Sequence, residues 1–423
     1  MFDVLVIGGG TAGVSAAIQA GREGASVVLV EATARLGGTT VNSSIARPGM
    51  FHAWKRQICG GIGWELVLKT LDEARMPMPD YKMDAERWWK LQIPIDPYVY
   101  SAICADEVVK AGVDLRLRTM LGALERLPAG GWKATLCDND GLSCVEAAKV
   151  IDCSGDAVAA RMAGANIIKP EVCQPATYVF RMDGYDDRVL DRDALDAAFV
   201  KAVESGELKA EDACWRIDQP QVHELLWKHG GNGTHVAATS DCATARGRTA
   251  LELEGLAAFR RMVRWLKRQP GLENMHVVSL CPEIGIRESV VVEGLATVTR
   301  EDYVAGVVVP EAICYSFYPI DAHGIRSTDW ITENLKEGIV ATIPRGSIVA
   351  RGVPDFLMAG RIISSDRLSN SALRTQPTCM ATGQAAGALA VLSVRQGVAA
   401  GDVPYADLRA MLEKHGAILP PEA

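Results

Sequence analysis

The sequence predicts an α/β fold: a parallel sheet carrying a β-meander, with a second α+β domain set into the chain. Three observations lead there. The chain opens on an apolar strand pattern, a glycine-rich turn, a small-residue helix and a second apolar strand, all between Phe2 and Glu31. A buried-strand pattern returns at Ala148–Asp156 and ends in a Ser-Gly-Asp turn. A helix rich in alanine and glycine, Pro377–Gln396, closes the chain.

Phe2–Ile7 has the length of a buried strand. Gly8, Gly10 and Gly13 follow as G-x-G-x-x-G, with Thr11 and Ala12 between them. Ala16, Ala17 and Ala20 form the sheet-facing side of a helix that stops near Gly24, and Val27–Val30 is a second strand ending in Glu31. Gly8 permits the tight turn, Gly10 lets a pyrophosphate approach the backbone, and Gly13 lets helix and strand pack closely. The helix N-terminus offers free N–H groups and partial positive charge to phosphates. Glu31 lies about twenty residues on, where an acid bonds ribose hydroxyls. A glycine turn in an ordinary α/β unit would give Glu31 no task. This is a Rossmann-like dinucleotide site.

Arg35-Leu36-Gly37-Gly38-Thr39-Thr40 follows. Its paired glycines give a second close approach of backbone to ligand, which suits a cofactor longer than its pyrophosphate. E-x3-R-x-G-G-T after G-x-G-x-x-G resembles FAD-containing oxidoreductases of the glutathione-reductase-like fold. The resemblance implies FAD, with Ala32, Arg35, Gly37, Gly38 and Thr39 among its contacts. Relatives with covalent FAD carry a histidine in the next loop; Thr39–Ser44 has none, so non-covalent FAD is expected.

Composition sets bounds. The chain has 423 residues, 48% hydrophobic and 23% charged, enough for two domains. A net charge of −8 argues against nucleic acid and anionic membrane as partners. No charged n-region precedes the first strand, so no signal peptide and a cytoplasmic location are expected. No apolar run reaches the roughly 18 residues of a membrane helix. Eleven cysteines show no C-x-x-C and no metal-ligand spacing; they read as reduced thiols, with no metal and no thiol–disulfide reductase chemistry.

Between residues 41 and 110 the pattern gives a loop at Asn42–Met50, a helix at Trp64–Ala74, a Pro- and Met-rich loop, and a helix from Asp96-Pro97 to about Ala111. Val113–Thr119 is a parallel strand whose end, at Met120 or Leu121, lies beside the adenine in such flavoproteins. Residues 121–149 alternate around Ala129-Gly130 and Asp140-Gly141, a meander. Ser154, Gly155 and Asp156 then look like the family's second FAD contact. Residues 171–339 form the substrate domain: a strand at Tyr178–Met182, a helix at Asp191–Ser205, a long helix capped by Ser240 or Asp241 and reaching about Gln269, and strands near 275–281 and 285–292. Residues 1–170 and 340–423 form the FAD domain. In the latter, Phe356–Gly360 leads to Arg361, and the closing helix aims Pro377, Thr378 and Cys379 at the pyrimidine end of the flavin. Its small residues require close packing on a neighbour.

Gln174–Thr177, Cys281–Ser289, Pro319–His323, and the run from Gly360-Arg361 through Arg374 to Gly387 resemble a broad bacterial group of FAD-dependent oxidoreductases, distantly similar to succinate dehydrogenase and fumarate reductase flavoprotein subunits. The resemblance implies a dehydrogenase or reductase that moves a hydride between flavin and a small polar substrate, with an unnamed electron partner. A flavin monooxygenase and a non-catalytic flavin-binding protein are the alternatives, and a homo-oligomer is compatible with the chain. Asp321 and His323 are two apart on a strand and share a face; the carboxylate is expected to raise the imidazole pKa and orient it for acid–base work. Arg287 is a candidate carboxylate clamp or the partner of Glu283 or Asp321. Arg374, just before the closing helix, is a candidate substrate or flavin contact, and Arg361 a contact to FAD or the domain joint. His223, His229 and His235 read as solvated loop residues.

Overall fold

The computed structural model describes residues 1–82, 90–213, 222–237, 241–324 and 329–422. The nucleotide-binding unit forms as its spacing dictates: β1 (Phe2–Ile7), α1 (Thr11–Arg22) and β2 (Val27–Glu31). α2 (Gly61–Glu73) and α3 (Pro97–Lys110) follow. Asp96 starts α3, its carboxylate accepting from the Tyr98 and Val99 amides. β3 is Asp114–Leu117, and the meander is β4 (Met120–Arg126), β5 (Trp132–Asp138) and β6 (Gly141–Asp152). β3 is shorter than expected because Arg118 turns to φ 53° and the Thr119 amide donates to the Glu31 carbonyl.

The middle of the chain holds β7 (Ala176–Thr177), β8 (Phe180–Asp183), α4 (Arg192–Glu204), β9 (His235–Val236), α5 (Ala245–Leu266) and β10 (His276–Leu280). α5 begins later than expected. Its cap is Thr244, whose hydroxyl accepts from the Gly247 amide; Ser240 lies outside the described residues. The strand expected at 285–292 is regular only at Val291–Val292, because Gly285 leaves the ladder after bridging Thr177. The chain then gives β11 (Ala312–Ser316), β12 (Ile320–Ala322), β13 (Ala341–Pro344), β14 (Phe356–Met358), α6 (Arg367–Leu373) and α7 (Gln376–Gln396).

One large sheet organises the fold. β1 pairs in parallel with β2 on one side and β6 on the other; β3 extends the β2 edge, and β14 runs parallel to the end of β6. β5 pairs antiparallel with the first half of β6 and carries β4. So β6 serves the meander with one half and the parallel sheet with the other. One core lies between β1, α1 and α7, and takes in Val298, Ile313, Ile320 and Ile343. Another lies on the opposite face with Leu121, Trp132, Val292 and Phe356. A third, around Phe180, Phe199, Met262 and Trp265, holds α4 and α5 against β8.

The neighbour of the closing helix is α1. A Cβ at Gly383 would stand 2.1 Å from the Ala12 carbonyl oxygen, and one at Gly387 would stand 2.4 Å from that of Ala16. These i, i+4 glycines let two helix backbones touch. Gly397, at φ 65°, ends α7 in the left-handed conformation.

Candidate active site

Two glycine turns face each other at the C-terminal end of β1. Gly8 has φ 98°, and a Cβ on Gly13 would stand 1.8 Å from the Gly8 carbonyl oxygen. Here only glycine fits. Above Gly10 the backbone is open: the nearest atom to an added Cβ is Gly38 Cα at 3.8 Å. The Gly37 amide donates to the Gly9 carbonyl at 2.9 Å, tying the turns into one cradle. Thr11 and Ala12 are buried in the first turn of α1, and Gly38 precedes a short helical turn, Thr39–Asn42. Glu31 accepts from the Gly9 amide at 2.6 Å with one oxygen and from the Thr33 amide at 2.7 Å with the other. Each oxygen keeps a second acceptor site for a hydroxyl. This cradle fits a dinucleotide's pyrophosphate and ribose.

The other candidates for the cofactor divide. Ala32 and Arg35 are exposed, and the Arg35 guanidinium lies over the Tyr98 ring. Leu121 is buried in the meander core. Ser154 caps the turn after β6, accepting from the Val158 amide. Asp156 pairs with Arg361 at 2.8 Å and Arg248 at 2.5 Å. Burial pushes its pKa up, but the two guanidiniums outweigh this and hold it below the ordinary value. Arg361 also donates to the carbonyls of Gly155, at 2.6 Å, and Ile286. It therefore joins the sheet to the segment carrying Arg287. Gly360 donates to Thr382. In the first turn of α7, Pro377 sets the start, the Thr378 hydroxyl bonds Ser316 at 2.9 Å, and burial raises the Cys379 thiol to about 12.

A cluster of buried polar side chains, Gln174, Thr177, His235, Arg287 and His323, gathers beside the segment preceding α7. Thr177 pairs with His235 across β7 and β9 and bridges Gly285. Strand alternation therefore puts Thr177, His235 and Arg287 on one face. The Arg287 guanidinium donates to the Pro175 carbonyl at 2.6 Å and to His235 Nε2 at 3.1 Å. A guanidinium has only donors, so His235 accepts with Nε2 and carries its proton on Nδ1. Burial, reinforced by Arg374, lowers the Arg287 pKa to about 9, leaving it charged at neutral pH.

His323 faces this group, stacked on Trp330 with ring centroids 4.4 Å apart. Its Nε2 lies 3.1 Å from Asp321 Oδ2, and the other Asp321 oxygen accepts from the Trp330 indole at 2.8 Å. The expected rise in the His323 pKa is corrected here: it falls to about 4. Burial is the largest cause and the Arg287 charge adds to it; together with Arg374 they outweigh Asp321. Burial works against the Asp321 charge too, but His323, Arg374 and Trp330 hold that carboxyl well below its ordinary value. The imidazole is therefore neutral at pH 7, donates Nε2–H to Asp321, and keeps a lone pair on Nδ1.

Gln174 ties the chamber together. Its side-chain oxygen accepts from the His323 amide at 3.2 Å, and its own amide donates to Glu288. Arg374 approaches the same oxygen and the Asp321 carbonyl through Nη2, at 3.5 and 3.4 Å. Gln174 Nε2, Arg374 Nε and Thr177 Oγ1 are buried and have no hydrogen-bond partner among the described residues. Two residues past Arg374, the Gln376 amide group donates to Thr40 and to the Ile45 carbonyl. The Glu283 amide donates to the Asn42 carbonyl. The chamber and the loop after the glycine pair are thus bolted to each other.

The expectation of solvated histidines fails for His235, which is only 6% exposed. The signal for it was the short alternation Thr234-His235-Val236 after a glycine turn. His229 is partly exposed and stacks on Tyr185, and His223 pairs with Asp196 at 2.6 Å. Among the described residues no cluster could hold a metal, and no helix is long and apolar enough to cross a membrane.

Sheet, cradle and closing helix define a flavin-binding oxidoreductase fold. The chain matches the FAD dependent oxidoreductase family over residues 3–412, and it belongs to that family. FAD is the cofactor of the family, and the cradle fits it. Glutathione reductase of Schizosaccharomyces pombe is 33% identical over 99 residues, 23% of this chain and 19% of that protein. The match thus spans about a fifth of that relative's length. Among solved structures, p-nitrophenol 4-monooxygenase PnpA from Pseudomonas putida DLL-E4 aligns with 97% of this chain and 86% of its own at 12% identity and a TM-score of 0.47. A geranylgeranyl bacteriochlorophyll reductase-like protein from Thermoplasma acidophilum aligns with 98% of this chain and 82% of its own at 14% identity and a TM-score of 0.43. The narrower likeness to succinate dehydrogenase and fumarate reductase flavoproteins rests on the sequence motifs alone.

Proposed function

We propose that this enzyme oxidises or reduces a small carboxylate-bearing molecule held in the chamber of Gln174, Arg287, Arg374 and His323. The carrying observation is the pair of buried donors, Gln174 Nε2 and Arg374 Nε, that have no acceptor among the described residues. A buried donor left unpaired costs about 1–3 kcal/mol, and an acceptor-rich ligand removes that cost. In this reading Gly8, Gly10, Gly13, Glu31, Gly37, Gly38 and the first turn of α7 hold the cofactor non-covalently. Residues 1–170 and 340–423 form its domain, and 171–339 supply the substrate side. Bound FAD supplies the two-electron chemistry by taking or giving a hydride. Arg374 and Gln174 fix the carboxylate, and Arg287 adds positive charge. His323 Nδ1 takes the proton released when the substrate is oxidised and returns it in the reverse direction, while Asp321 holds the ring in the required tautomer.

A second reading draws on the rings of Trp330 and His235, which flank His323 at 4.4 and 5.8 Å. They suit an aromatic acid, which the same cations would hold for hydroxylation. Anaerobic incubation with a panel of small carboxylic acids and their neutral amides tests the proposal. Acids should bleach the flavin, or reoxidise it once reduced, and their amides should not. Equal action by acids and amides would overturn it. Incorporation of oxygen into a bound acid would favour the second reading, and inertness of the FAD-loaded protein to the whole panel would favour a non-catalytic role.

A further inference from the structure

Gln174 Nε2 and Arg374 Nε match the two oxygens of a carboxylate, and a third polar atom is left over. Thr177 is 2% exposed, and its Oγ1 has no hydrogen-bond partner among the described residues. Its backbone is pinned from both sides: the Thr177 amide donates to the Gly285 carbonyl at 2.9 Å, and the Gly285 amide donates to the Thr177 carbonyl at 2.8 Å. The same bridge shows which way this face is turned. A Cβ on Gly285 would stand 3.2 Å from Ser43 Cβ and 3.7 Å from Ile45 Cγ1. The face that carries Thr177, His235 and Arg287 is therefore directed at the loop after Gly37-Gly38, on the cofactor's side of the cluster. Gln376, at the start of α7, donates to the Ile45 carbonyl of that loop.

We propose that the substrate is a 2-hydroxy acid and that Thr177 is the residue that recognises its hydroxyl. This rests on the carboxylate reading above and narrows it. Gln174 Nε2 and Arg374 Nε can only donate, which suits carboxylate oxygens. A threonine hydroxyl both donates and accepts, which suits a second hydroxyl. An ammonium at the same carbon fits poorly, because it offers no lone pair to the threonine. Arg287 and Arg374 also bring positive charge to the cluster, and both Asp321 oxygens are engaged, by His323 and by Trp330. In the reaction the C2–H bond breaks and the hydrogen leaves with its electron pair as hydride to the bound flavin. The hydroxyl proton passes to His323 Nδ1, and the C–O bond becomes double. One 2-hydroxy acid and oxidised FAD give one 2-oxo acid and FAD reduced by two electrons, with the proton on His323. Thr177 Oγ1 donates to the substrate oxygen throughout, so it selects and orients the substrate without moving a proton.

The FAD-loaded full chain is incubated anaerobically with glycolate, 2-hydroxybutanoate and mandelate, each beside the acid lacking the hydroxyl and the acid with an amino group at C2. The hydroxy acids should bleach the flavin and yield 2-oxo acids, and the others should not. Bleaching by the deoxy or amino acids as fast as by the hydroxy acids would overturn the inference and leave the carboxylate reading standing. Inertness of every acid would remove both. Binding is read by anaerobic calorimetry on the dithionite-reduced protein, which accepts no hydride. It should bind 2-hydroxybutanoate roughly 5–100-fold tighter than butanoate, the effect of pairing one buried hydroxyl. Thr177→Val should bring the two acids within about 2-fold of each other, and Thr177→Ser should restore the preference. Because Thr177 Oγ1 bonds nothing among the described residues, Thr177→Val should be at least as stable to urea as the parent. A Thr177→Val protein that keeps the full preference would sink the role. Equal weakening of both acids, not rescued by Thr177→Ser, would sink it too, by marking the residue as structural.

Discussion

Gly383→Ala inverts the usual rule for a helix. On an uncrowded face, replacing glycine by alanine stabilises by roughly 1 kcal/mol. Here the new Cβ would stand 2.1 Å from the Ala12 carbonyl oxygen, 2.7 Å from its carbon and 2.8 Å from Ala12 Cα. Those are backbone atoms of α1, so no side chain can rotate aside. Relief requires α1 and α7 to part by on the order of 1 Å, judged against ordinary carbon contacts of about 3.5 Å. Overpacking of this kind costs typically 1–3 kcal/mol. Set against the propensity gain of roughly 1 kcal/mol, the net expected is a loss of up to about 2 kcal/mol. Ala12 sits in the glycine turn, so the same displacement should loosen the cradle and weaken FAD binding. Urea unfolding gives the stability, and quenching of flavin fluorescence on titration gives the affinity. A Gly383→Ala protein as stable as the parent, with unchanged FAD affinity, would refute the claim that this contact sets the helix spacing.

Other perturbations address the site. Gly10→Val should abolish FAD retention by filling the open space above the turn, and a variant that purifies with stoichiometric FAD would contradict the cradle. His323→Ala should lower turnover on the order of 10²–10⁴-fold, and an unchanged rate would remove the proton-transfer role. Arg374→Gln should raise KM for the acid far more than it lowers kcat, because its donor binds both ground and transition states; a fall in kcat alone would count against it. The imidazole also predicts a pH dependence of stability. The folded His323 pKa, about 4, lies below its ordinary 6.5, so its contribution is fully present above about 6.5. It is lost as pH falls toward 4, where the unfolded chain takes up a proton that the folded site refuses; the full difference is about 3 kcal/mol. His323→Gln should flatten that part of the urea-stability profile, and a profile parallel to the parent would show that His323 is not held neutral.

The nucleotide-binding unit was readable because its signals are local. Strand, glycine turn, helix and acid lie within one short stretch, and each glycine has a backbone reason visible in the spacing. The closing helix was readable for its small residues, although its partner was not. The contact of Gly383 with Ala12 joins two ends of the chain, and neither sequence end names the other. The chamber was half readable. Asp321 and His323 stood out because they alternate on a strand, but the imidazole's charge state depends on burial and on Arg287 and Arg374, which arrive from elsewhere. His235 was missed for a related reason: its neighbours in sequence are polar and glycine-rich, and only pairing with Thr177 buries it.

The most direct measurement is a crystal structure of the FAD-loaded protein with a bleaching acid bound. The account predicts carboxylate oxygens about 3 Å from Arg374 Nε and Gln174 Nε2, with the reacting carbon near His323 Nδ1. An acid seated outside this chamber, with those two donors satisfied by water or protein, would contradict it.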